Sequence, residues 1–385
     1  MSRNTEKMMR TILIIAGRYL PGFRDGGPVR SILNLTEWLG DEYDIRILCH
    51  DRDHGDTEPY PGIKYNEYNR VGKAKVWYIK DYTPDIVVKL SADAHVVYVA
   101  GLYDDYARLA MRLAKAGRIK SPLYVAPMGS FSPEAFRIKG LKKRLFIMYM
   151  KLTGAFRKVV WSVTSGREKE ELTAVIGGGA DCIIATDLPR RGLVSHKGIK
   201  EAGKLRLVFV SRISPKKNLM ALYDILSLTG KDTDIKLDVY GTPEDAAYLD
   251  DCRSRLDQLE RSHPHFDWEY KGEAESEKVP EIFANYDAFL FPTLGENYGH
   301  VIAESLASGC VPVISDTTPW LDLEKEGCGY VCRLSDISAF ARSVDTLAAM
   351  SEEEHKLMRD KCVVYITSLN EKSVANTGYR AIFGS

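Results

Sequence analysis

Residues 205–218 read LRLVFVSRISPKKN. The first seven form a short apolar run, which is typical of a strand buried on both faces of a parallel sheet. A loop rich in cations follows where that strand ends. Because open parallel sheets bind ligands beyond the carboxyl ends of their strands, Arg212 and Lys217 are predicted to face a ligand. Two fixed cations can neutralise a diphosphate and stabilise it as a leaving group.

The same alternation of apolar strands and amphipathic helices fills both halves of the chain. Predicted strands cover residues 11–17, 44–49, 95–100, 123–126, 205–211, 235–240, 288–291 and 311–315, and predicted helices include residues 29–39, 105–116 and 218–228. This order favours doubly wound parallel sheets. A chain of 385 residues is long for one hydrophobic core. We therefore expect two Rossmann-like α/β domains that face a cleft.

The best linker candidate is the stretch 189–204, which contains one proline and three glycines. It predicts an N-terminal domain over residues 1–195 and a C-terminal domain over residues 196–365. Residues 1–195 carry 31 Lys and Arg against 22 Asp and Glu, and the remainder carries 22 against 31. A basic first half is suited to an anionic partner, although simple compositional drift explains the asymmetry equally well.

Several classes of protein are disfavoured. No apolar run reaches the roughly 18 residues of a membrane span, and no signal peptide is recognisable, so we expect a cytoplasmic protein. The seven scattered cysteines show no zinc-binding spacing and read as reduced thiols. The eight histidines form no metal-ligand pattern, and no G-x-G-x-x-G motif follows a strand. A metal site, a dinucleotide cofactor and a nucleic-acid partner are therefore not expected.

Residues 291–304, FPTLGENYGHVIAE, contain the strongest functional motif. A helix that starts near Gly299 and ends near Gly309 would point free backbone N–H groups at an anion. A carboxylate can accept hydrogen bonds from two adjacent hydroxyl groups of a sugar. This suggests that Glu296 binds a hexose and that Glu304 binds a ribose. The alternative is that Glu296 caps the helix and Glu304 is solvated. The donor-binding candidates in this turn are Asn297, Tyr298, Gly299, His300 and Val301.

A glycine-rich loop, residues 21–28 (PGFRDGGP), follows the first strand. Gly26 and Gly27 would allow the backbone to approach a ligand closely. A plain turn is the alternative interpretation.

These three segments together resemble the retaining glycosyltransferase family 4, whose fold is GT-B. The family's E-x7-E signature matches Glu296 and Glu304, its R-x4-K pair matches Arg212 and Lys217, and its N-terminal Gly-Gly loop matches Gly26 and Gly27. The resemblance implies a nucleoside-diphosphate sugar bound mainly by the second domain and an acceptor bound mainly by the first. It further implies transfer with retention, no metal or other cofactor, and a C-terminal helix within residues 366–385 that crosses back to the first domain.

The chain departs from the family after the strand at residues 123–126, where many members place a histidine. Here the loop reads PMGSFSP, and Met128 cannot accept a proton. A front-face reaction, in which the leaving phosphate takes the acceptor's proton, is compatible with this change. Met128, Gly129 and Tyr103 are the acceptor-side candidates, whereas the pair Asp104 and Asp105 is interpreted as a helix start.

Residues 137–158 contain eight basic residues and no acidic one, interleaved with apolar residues. Such a stretch can lie on an anionic membrane leaflet or hold a lipid-linked diphosphate. The alternative is a core-packed helix with a solvated basic face.

The sequence thus predicts a retaining hexosyltransferase that uses a UDP- or GDP-sugar and a glycan or polyprenyl-linked acceptor. Synthesis of a bacterial capsule, exopolysaccharide or O-antigen is the expected setting, with peripheral contact with the inner face of the cytoplasmic membrane. Two alternatives stay open: a GT-B sugar-nucleotide 2-epimerase, and a sugar-nucleotide-binding protein without catalytic activity.

Overall fold

A computed structural model describes residues 9–137, 140–192 and 194–384. The chain divides into two compact units. The first unit ends at Leu188 and resumes at Ser373, and the second comprises Pro189–Lys372. Each is built around a largely parallel sheet, as the alternating pattern predicts.

The first unit holds an eight-stranded sheet in the order β3-β4-β2-β1-β5-β6-β7-β8, parallel except for the β3–β4 hairpin. The elements are β1 (Thr11–Ala16), α1 (Gly27–Leu39), β2 (Asp44–His50), β3 (Asn69–Val71), β4 (Ala74–Ile79), α2 (Pro84–Ser91), β5 (Val96–Ala100), α3 (Asp105–Lys115), β6 (Leu123–Ala126), α4 (Pro133–Arg137), α5 (Gly140–Leu152), β7 (Val159–Val163), α6 (Gly166–Ile176) and β8 (Cys182–Ile184). The strand order reverses between β1 and β5.

The core of the first unit lies on both faces of this sheet. All six residues of β1 are buried, and successive side chains enter opposite layers. Leu13 and Ile15 pack with α2 and α3, whereas Ile12 and Ile14 pack with α1 on the other face. Burial on both faces explains why β1 is a continuous apolar run.

The second unit holds a six-stranded parallel sheet in the order β11-β10-β9-β12-β13-β14. Its elements are β9 (Lys204–Val210), α7 (Ala221–Leu226), β10 (Asp234–Tyr240), α8 (Ala246–Ser262), β11 (Phe266–Gly272), α9 (Val279–Phe283), β12 (Ala288–Phe291), α10 (His300–Ala307), β13 (Val311–Ser315), α11 (Leu323–Glu326), β14 (Tyr330–Cys332), α12 (Ile337–Ala349) and α13 (Glu352–Ala375). The helix predicted from residue 218 begins only at Ala221, because Asn218 has a left-handed φ of 60°.

Hydrogen bonds set the division of the chain at Leu188. Asn34 donates to the Leu188 carbonyl at 2.8 Å within the first unit, and Arg190 donates to the Ser276 carbonyl at 2.7 Å within the second. The first unit therefore ends before the predicted boundary at residue 195.

The chain returns to the first unit from Ser373 rather than from residue 366. The last helix, α14 (Gly378–Gly384), buries Tyr379, Ile382 and Phe383 in the core of that unit. Buried Asp187 accepts hydrogen bonds from Ser31 at 2.9 Å and from Tyr379 at 3.4 Å, and so ties α14 to α1.

Among the described residues, none of the helices combines the length and apolar character that crossing a bilayer requires. All seven cysteines lie in the described ranges and none forms a disulfide. Six of them are buried, so their thiols serve chiefly as packing groups.

A buried polar cluster lies at the amino-terminal edge of the second sheet. The Asp287 carboxylate receives the Arg206 guanidinium at 2.6 and 3.1 Å. The fully buried His355 lies 3.2 Å from the Asp287 carbonyl through Nε2 and 3.2 Å from Arg359 through Nδ1. Burial lowers the pKa of His355 to about 4, and burial likewise lowers the pKa of nearby His196 to about 4.

The backbone segments that follow β9 and β10 approach each other closely. Ser211 donates its N–H to the Tyr240 carbonyl at 3.1 Å, and a Cβ on Gly241 would come within 1.7 Å of the Ser211 carbonyl oxygen. Only glycine, which has no Cβ, allows the backbone at Ser211 and the backbone at Gly241 to lie this close. Gly241 therefore fixes the start of the loop that carries Arg212.

Lowering the pH from 7 to 5 should reduce the free energy of unfolding less in a His355→Gln variant than in the wild type. The unfolded imidazole gains its proton near pH 6.5, whereas folded His355 stays neutral down to about pH 4. The unfolded state therefore binds protons first as the pH falls, and stability is lost by about 1.4 kcal/mol per pH unit for each such group. Urea unfolding at both pH values measures this, with exposed His265→Gln as control. Equal pH dependence in wild type and H355Q would contradict the account.

A Gly241→Ala variant should be clearly less stable than Gly272→Ala. Both glycines have positive φ, and Gly272 has no atom within 4 Å of the added methyl. G272A should therefore lose only the conformational cost of about 1–2 kcal/mol. G241A should lose a further ~2 kcal/mol, because the methyl displaces the Ser211 carbonyl. Urea unfolding midpoints give the comparison, and equal losses would show that the close approach is not a constraint.

Candidate active site

The second sheet reverses its strand order between β9 and β12, which is where doubly wound sheets bind ligands. These two strands pair only through Ala288↔Leu207 and Phe289↔Val208. Beyond these two residue pairs, β9 continues to Val210 and β12 to Phe291 without pairing to each other. A crevice therefore opens between their carboxyl ends, and the two functional loops leave from it.

Hydrogen bonds join the loop after β9 to the loop after β12. The Leu294 N–H donates to the Lys216 carbonyl at 2.8 Å, and the Thr293 hydroxyl oxygen lies 3.2 Å from the same carbonyl oxygen. The Asn218 amide donates to the Pro292 carbonyl at 2.9 Å. These bonds fix the segment that carries Lys217 against the segment that carries Glu296.

Lys217 and Glu296 form an ion pair, with Nζ 2.5 Å from Oε1. The Thr293 hydroxyl donates to the same carboxylate oxygen at 3.2 Å. Only 13% of the Lys217 side chain and 11% of the Glu296 side chain are exposed, and the ammonium lies 5.6 Å from the centroid of the Phe291 ring. The structure thus brings together two of the three predicted catalytic residues, in a site largely shielded from water.

Arg212 has a different environment from Lys217. Its guanidinium forms an ion pair with Glu244, and 42% of each side chain is exposed. Glu244 lies in the loop after β10 and carries no recognisable signal in the sequence. Of the predicted pair of cations, Lys217 is the one in contact with Glu296.

The helix start predicted at Gly299 is present. Gly299 has φ 82° and no side chain with which to cap α10, and the Glu296 carboxylate pairs with Lys217, which argues against Glu296 as a helix cap. The first N–H groups of an α-helix have no acceptor within the helix, and those of His300 and Val301 belong to this set. Trp320 fixes the preceding turn, because its indole N–H donates to the Tyr298 carbonyl at 2.6 Å. Asn297 lies in the same turn, between Glu296 and Tyr298.

Glu304 lies one turn into α10 and is only 8% exposed, so its interpretation as a solvated residue is wrong. The Arg190 guanidinium lies 3.5 Å from its Oε1 and also donates to the Ser276 and Glu277 carbonyls at 2.7 and 3.0 Å. Glu304, Arg190 and His300 line a small cavity of the second unit. Arg190 belongs to the predicted linker, and nothing in the sequence links it to Glu304.

The glycine-rich loop belongs to the first unit. Gly26 immediately precedes α1 with φ 65°, a conformation that favours glycine, whereas a side chain on Gly27 would meet nothing within 4 Å. The loop is held by the Arg18–Asp25 ion pair at 3.1 Å and by the Phe23 N–H, which donates to Asp53 at 2.9 Å.

The three acceptor-side candidates share one edge of the first sheet. Met128 and Gly129 both have left-handed φ, of 51° and 74°. The Gly129 N–H donates at 2.6 Å to the buried carboxylate of Glu168, which also accepts from Thr164, and burial raises the pKa of Glu168. Tyr103 donates its hydroxyl to the Ser130 carbonyl at 3.2 Å. Glu168, which carries no signal in the sequence, thus shapes the loop where a histidine was expected.

Asp104 does more than start a helix. It precedes α3 without a side-chain capping bond, and its carboxylate accepts instead from the Tyr106 hydroxyl at 3.3 Å. Loss of water around this carboxyl, followed by repulsion from Asp25, raises the pKa of Asp104. Asp104 follows β5 and Asp25 follows β1, so the two carboxylates mark the point where the first sheet reverses its order.

No cluster of three or more metal-binding side chains occurs in the residues that the structure describes. Lys217, in the loop after β9, is a cation that follows the carboxyl end of this strand at the β9–β12 crevice.

Comparison with known proteins places these features in a family context. Residues 194–361 match the family model described as glycosyl transferases group 1. Glycogen synthase of Lachnospira eligens is 27% identical over 145 residues, a stretch that covers 34% of this chain and 27% of that protein. The chain thus spans about a quarter of the length of this curated relative.

Solved structures match almost the whole chain. Anabaena HepE, solved in complex with UDP and glucose, superposes with a TM-score of 0.68 at 14% identity and covers 94% of this chain and 98% of its own. Sucrose-phosphate synthase of Thermosynechococcus elongatus gives 0.70 at 12% identity, with coverages of 97% and 99%. S. aureus TarM gives 0.67 at 13% identity, with coverages of 98% and 100%. The chain therefore has a GT-B fold, and residues 194–361 of its second unit are similar to the glycosyl transferases group 1 model. These findings support a glycosyltransferase.

Proposed function

We propose that this chain is a retaining glycosyltransferase that moves a hexose from a UDP- or GDP-sugar to a glycan or lipid-linked acceptor. The observation that carries the proposal is the shielded Lys217–Glu296 pair beside the start of α10, at the β9–β12 crevice. The neighbours add support. HepE was solved with UDP and glucose, and TarM with UDP and α-GlcNAc-glycerol.

The donor would bind as a diphosphate flanked by two sugars. Its phosphates would accept hydrogen bonds from the N–H groups at the start of α10 and from the Lys217 ammonium. Glu304, oriented by Arg190, would accept from the ribose hydroxyls. Lys217 and Thr293 both bond Oε1 of Glu296, so a hexose hydroxyl would donate to Oε2. Arg212 would add charge from the rim of the site.

In the proposed reaction, the acceptor hydroxyl oxygen attacks the anomeric carbon from the face that the diphosphate leaves. The bond between the anomeric carbon and the phosphate oxygen breaks, and the acceptor's proton passes to that phosphate oxygen. Entry and departure on one face retain the anomeric configuration. Lys217 and the α10 start stabilise the charge that develops on the leaving group, so the reaction as proposed needs no metal. A protein base at Met128 is likewise not required.

The acceptor would bind to the first unit, at the edge that carries Tyr103, Met128 and Gly129. Gly26 and Gly27, in the first unit, stay predicted donor-binding residues. We further propose a role in bacterial surface polysaccharide synthesis, on a polyprenyl-linked or growing glycan. Such an acceptor would bring the enzyme to the inner face of the cytoplasmic membrane, for which the basic stretch 137–158 is suited.

Glu296→Gln and Lys217→Ala should each lower turnover by at least roughly a hundredfold, the scale of losing one preorganised electrostatic contact. Release of nucleoside diphosphate from UDP- and GDP-sugars, with an acceptor panel of lipid-linked glycans, gives the rate. Lys236→Ala is the matched control, because this lysine lies on β10 with 55% of its side chain exposed. Wild-type rates in both E296Q and K217A would refute the assignment of the site.

The structure of the product decides between the proposal and its alternatives. An NMR spectrum should show a new glycoside with the anomeric configuration of the donor. Formation of the C2 epimer of the sugar without transfer would instead indicate an epimerase. Thermal stabilisation by a sugar nucleotide without turnover on any acceptor of the panel would favour a binding protein.

A further inference from the structure

The helix α5 exposes an unusual surface. Its inward side chains Ile147 and Met150 are buried in the core of the first unit. On the outward side, four apolar side chains are exposed to 74%, 50%, 52% and 81%; these are Leu141, Leu145, Met148 and Leu152, here termed the α5 stripe. A helix of a globular protein normally presents polar residues on that side.

The spacing of the stripe is regular. At about 100° per residue, the four side chains fall within a sector of roughly 60° around the helix axis. They therefore form one continuous apolar strip along α5. Exposed apolar residues that are scattered singly need no explanation, but a contiguous strip marks an interaction surface.

Basic side chains border the stripe on both sides. Arg144 and Lys151 lie along one side and Lys142 along the other, and all three are exposed. The stretch 137–158 contains no acidic residue; its residues 138 and 139 lie outside the described ranges. An apolar strip between cationic borders is the pattern of helices that lie in the plane of an anionic lipid surface.

An apolar groove continues from the stripe. Met148 and Leu152 line it together with Phe131 and Val175, and its volume is about 760 Å³. The Lys151 ammonium donates to the Val175 carbonyl at 2.7 Å, which fixes α5 against α6. The surface is thus held in place by the fold of the first unit.

We propose that the α5 stripe inserts into the interfacial region of an anionic lipid leaflet, with Arg144 and Lys142 against the lipid phosphates. This inference rests on the proposed function, since a lipid-linked acceptor resides in such a leaflet. A second copy of the chain is a poorer occupant. A symmetric pair would place the same surface against itself and bring cationic borders together.

The position of α5 suits delivery of that acceptor. The Phe146 ring lies 5.4 Å from the ring of Tyr103, and the Lys143 ammonium lies 5.2 Å above it. Tyr103 in turn holds the Ser130 carbonyl of the loop after β6. A leaflet bound at α5 therefore lies next to the edge proposed to take the acceptor.

Vesicle flotation of the full chain tests the proposal. Vesicles of phosphatidylcholine with about 30% phosphatidylserine should float the wild type at low salt, whereas pure phosphatidylcholine vesicles should not. A Leu145→Ser, Met148→Ser double variant should bind at least roughly tenfold more weakly, because it loses the inserted apolar area. Arg144→Gln with Lys142→Gln should weaken binding and reduce its salt dependence.

The matched control is Leu357→Ser with Val364→Ser, two α13 side chains that are 60% and 69% exposed, and it should bind like the wild type. Turnover on a water-soluble glycan acceptor reports separately on folding and on the proposed transferase activity. If L145S/M148S binds vesicles as the wild type does, the α5 stripe is not the membrane-binding surface. Absence of any binding by the wild type would overturn all membrane contact, whether or not turnover persists. Self-association that needs the stripe, seen by sedimentation without vesicles, would replace the leaflet by a second copy.

Discussion

The short pairing between β9 and β12 is the constraint on which the candidate site depends. Two residue pairs join these strands, and the chains then separate because their crossover helices lie on opposite faces of the sheet. Hydrogen bonds from Leu294 and Asn218 join the two loops that leave the β9–β12 crevice. These bonds place a lysine from one loop against a glutamate from the other. Side chains that are 79 positions apart in sequence meet because the sheet order reverses between them.

The Lys217–Glu296 pair is formed without any ligand. Its members are largely shielded from water, and each neutralises the charge of the other in a place where an unpaired charge would be costly. A diphosphate would compete for the ammonium, and a sugar hydroxyl would use the second oxygen of Glu296. Under the proposed function, donor binding would share Lys217 with Glu296 and would not require rearrangement of the loops. Glu304, one turn into α10, is likewise shielded from water and lies next to a cation, the Arg190 guanidinium.

Much of this architecture could be predicted, because strands buried on both faces are continuous apolar runs and a glycine, Gly299, directly precedes α10. The predicted strands do not include β3, β4, β7, β8, β11 and β14. Every second residue of edge strand β11 is exposed, so this strand is not a continuous apolar run. The helix at residues 218–228 was predicted too long, because the left-handed Asn218 bonds another loop. Partners such as Arg190 for Glu304, and Glu168 for Gly129, depend on tertiary contacts that leave no local pattern. The surface of α5 could be predicted only in part. The sequence shows its basic and apolar composition, but the fold is needed to show which of its side chains face outward.

A crystal structure of the protein with an intact UDP- or GDP-sugar tests the central claim most directly. The account predicts that the diphosphate lies at the β9–β12 crevice, with one phosphate oxygen within hydrogen-bonding distance of the Lys217 ammonium and another at the N–H groups that begin α10. It also predicts a hexose hydroxyl on Glu296 and ribose hydroxyls on Glu304. A diphosphate bound elsewhere, with the Lys217–Glu296 pair untouched, would contradict it.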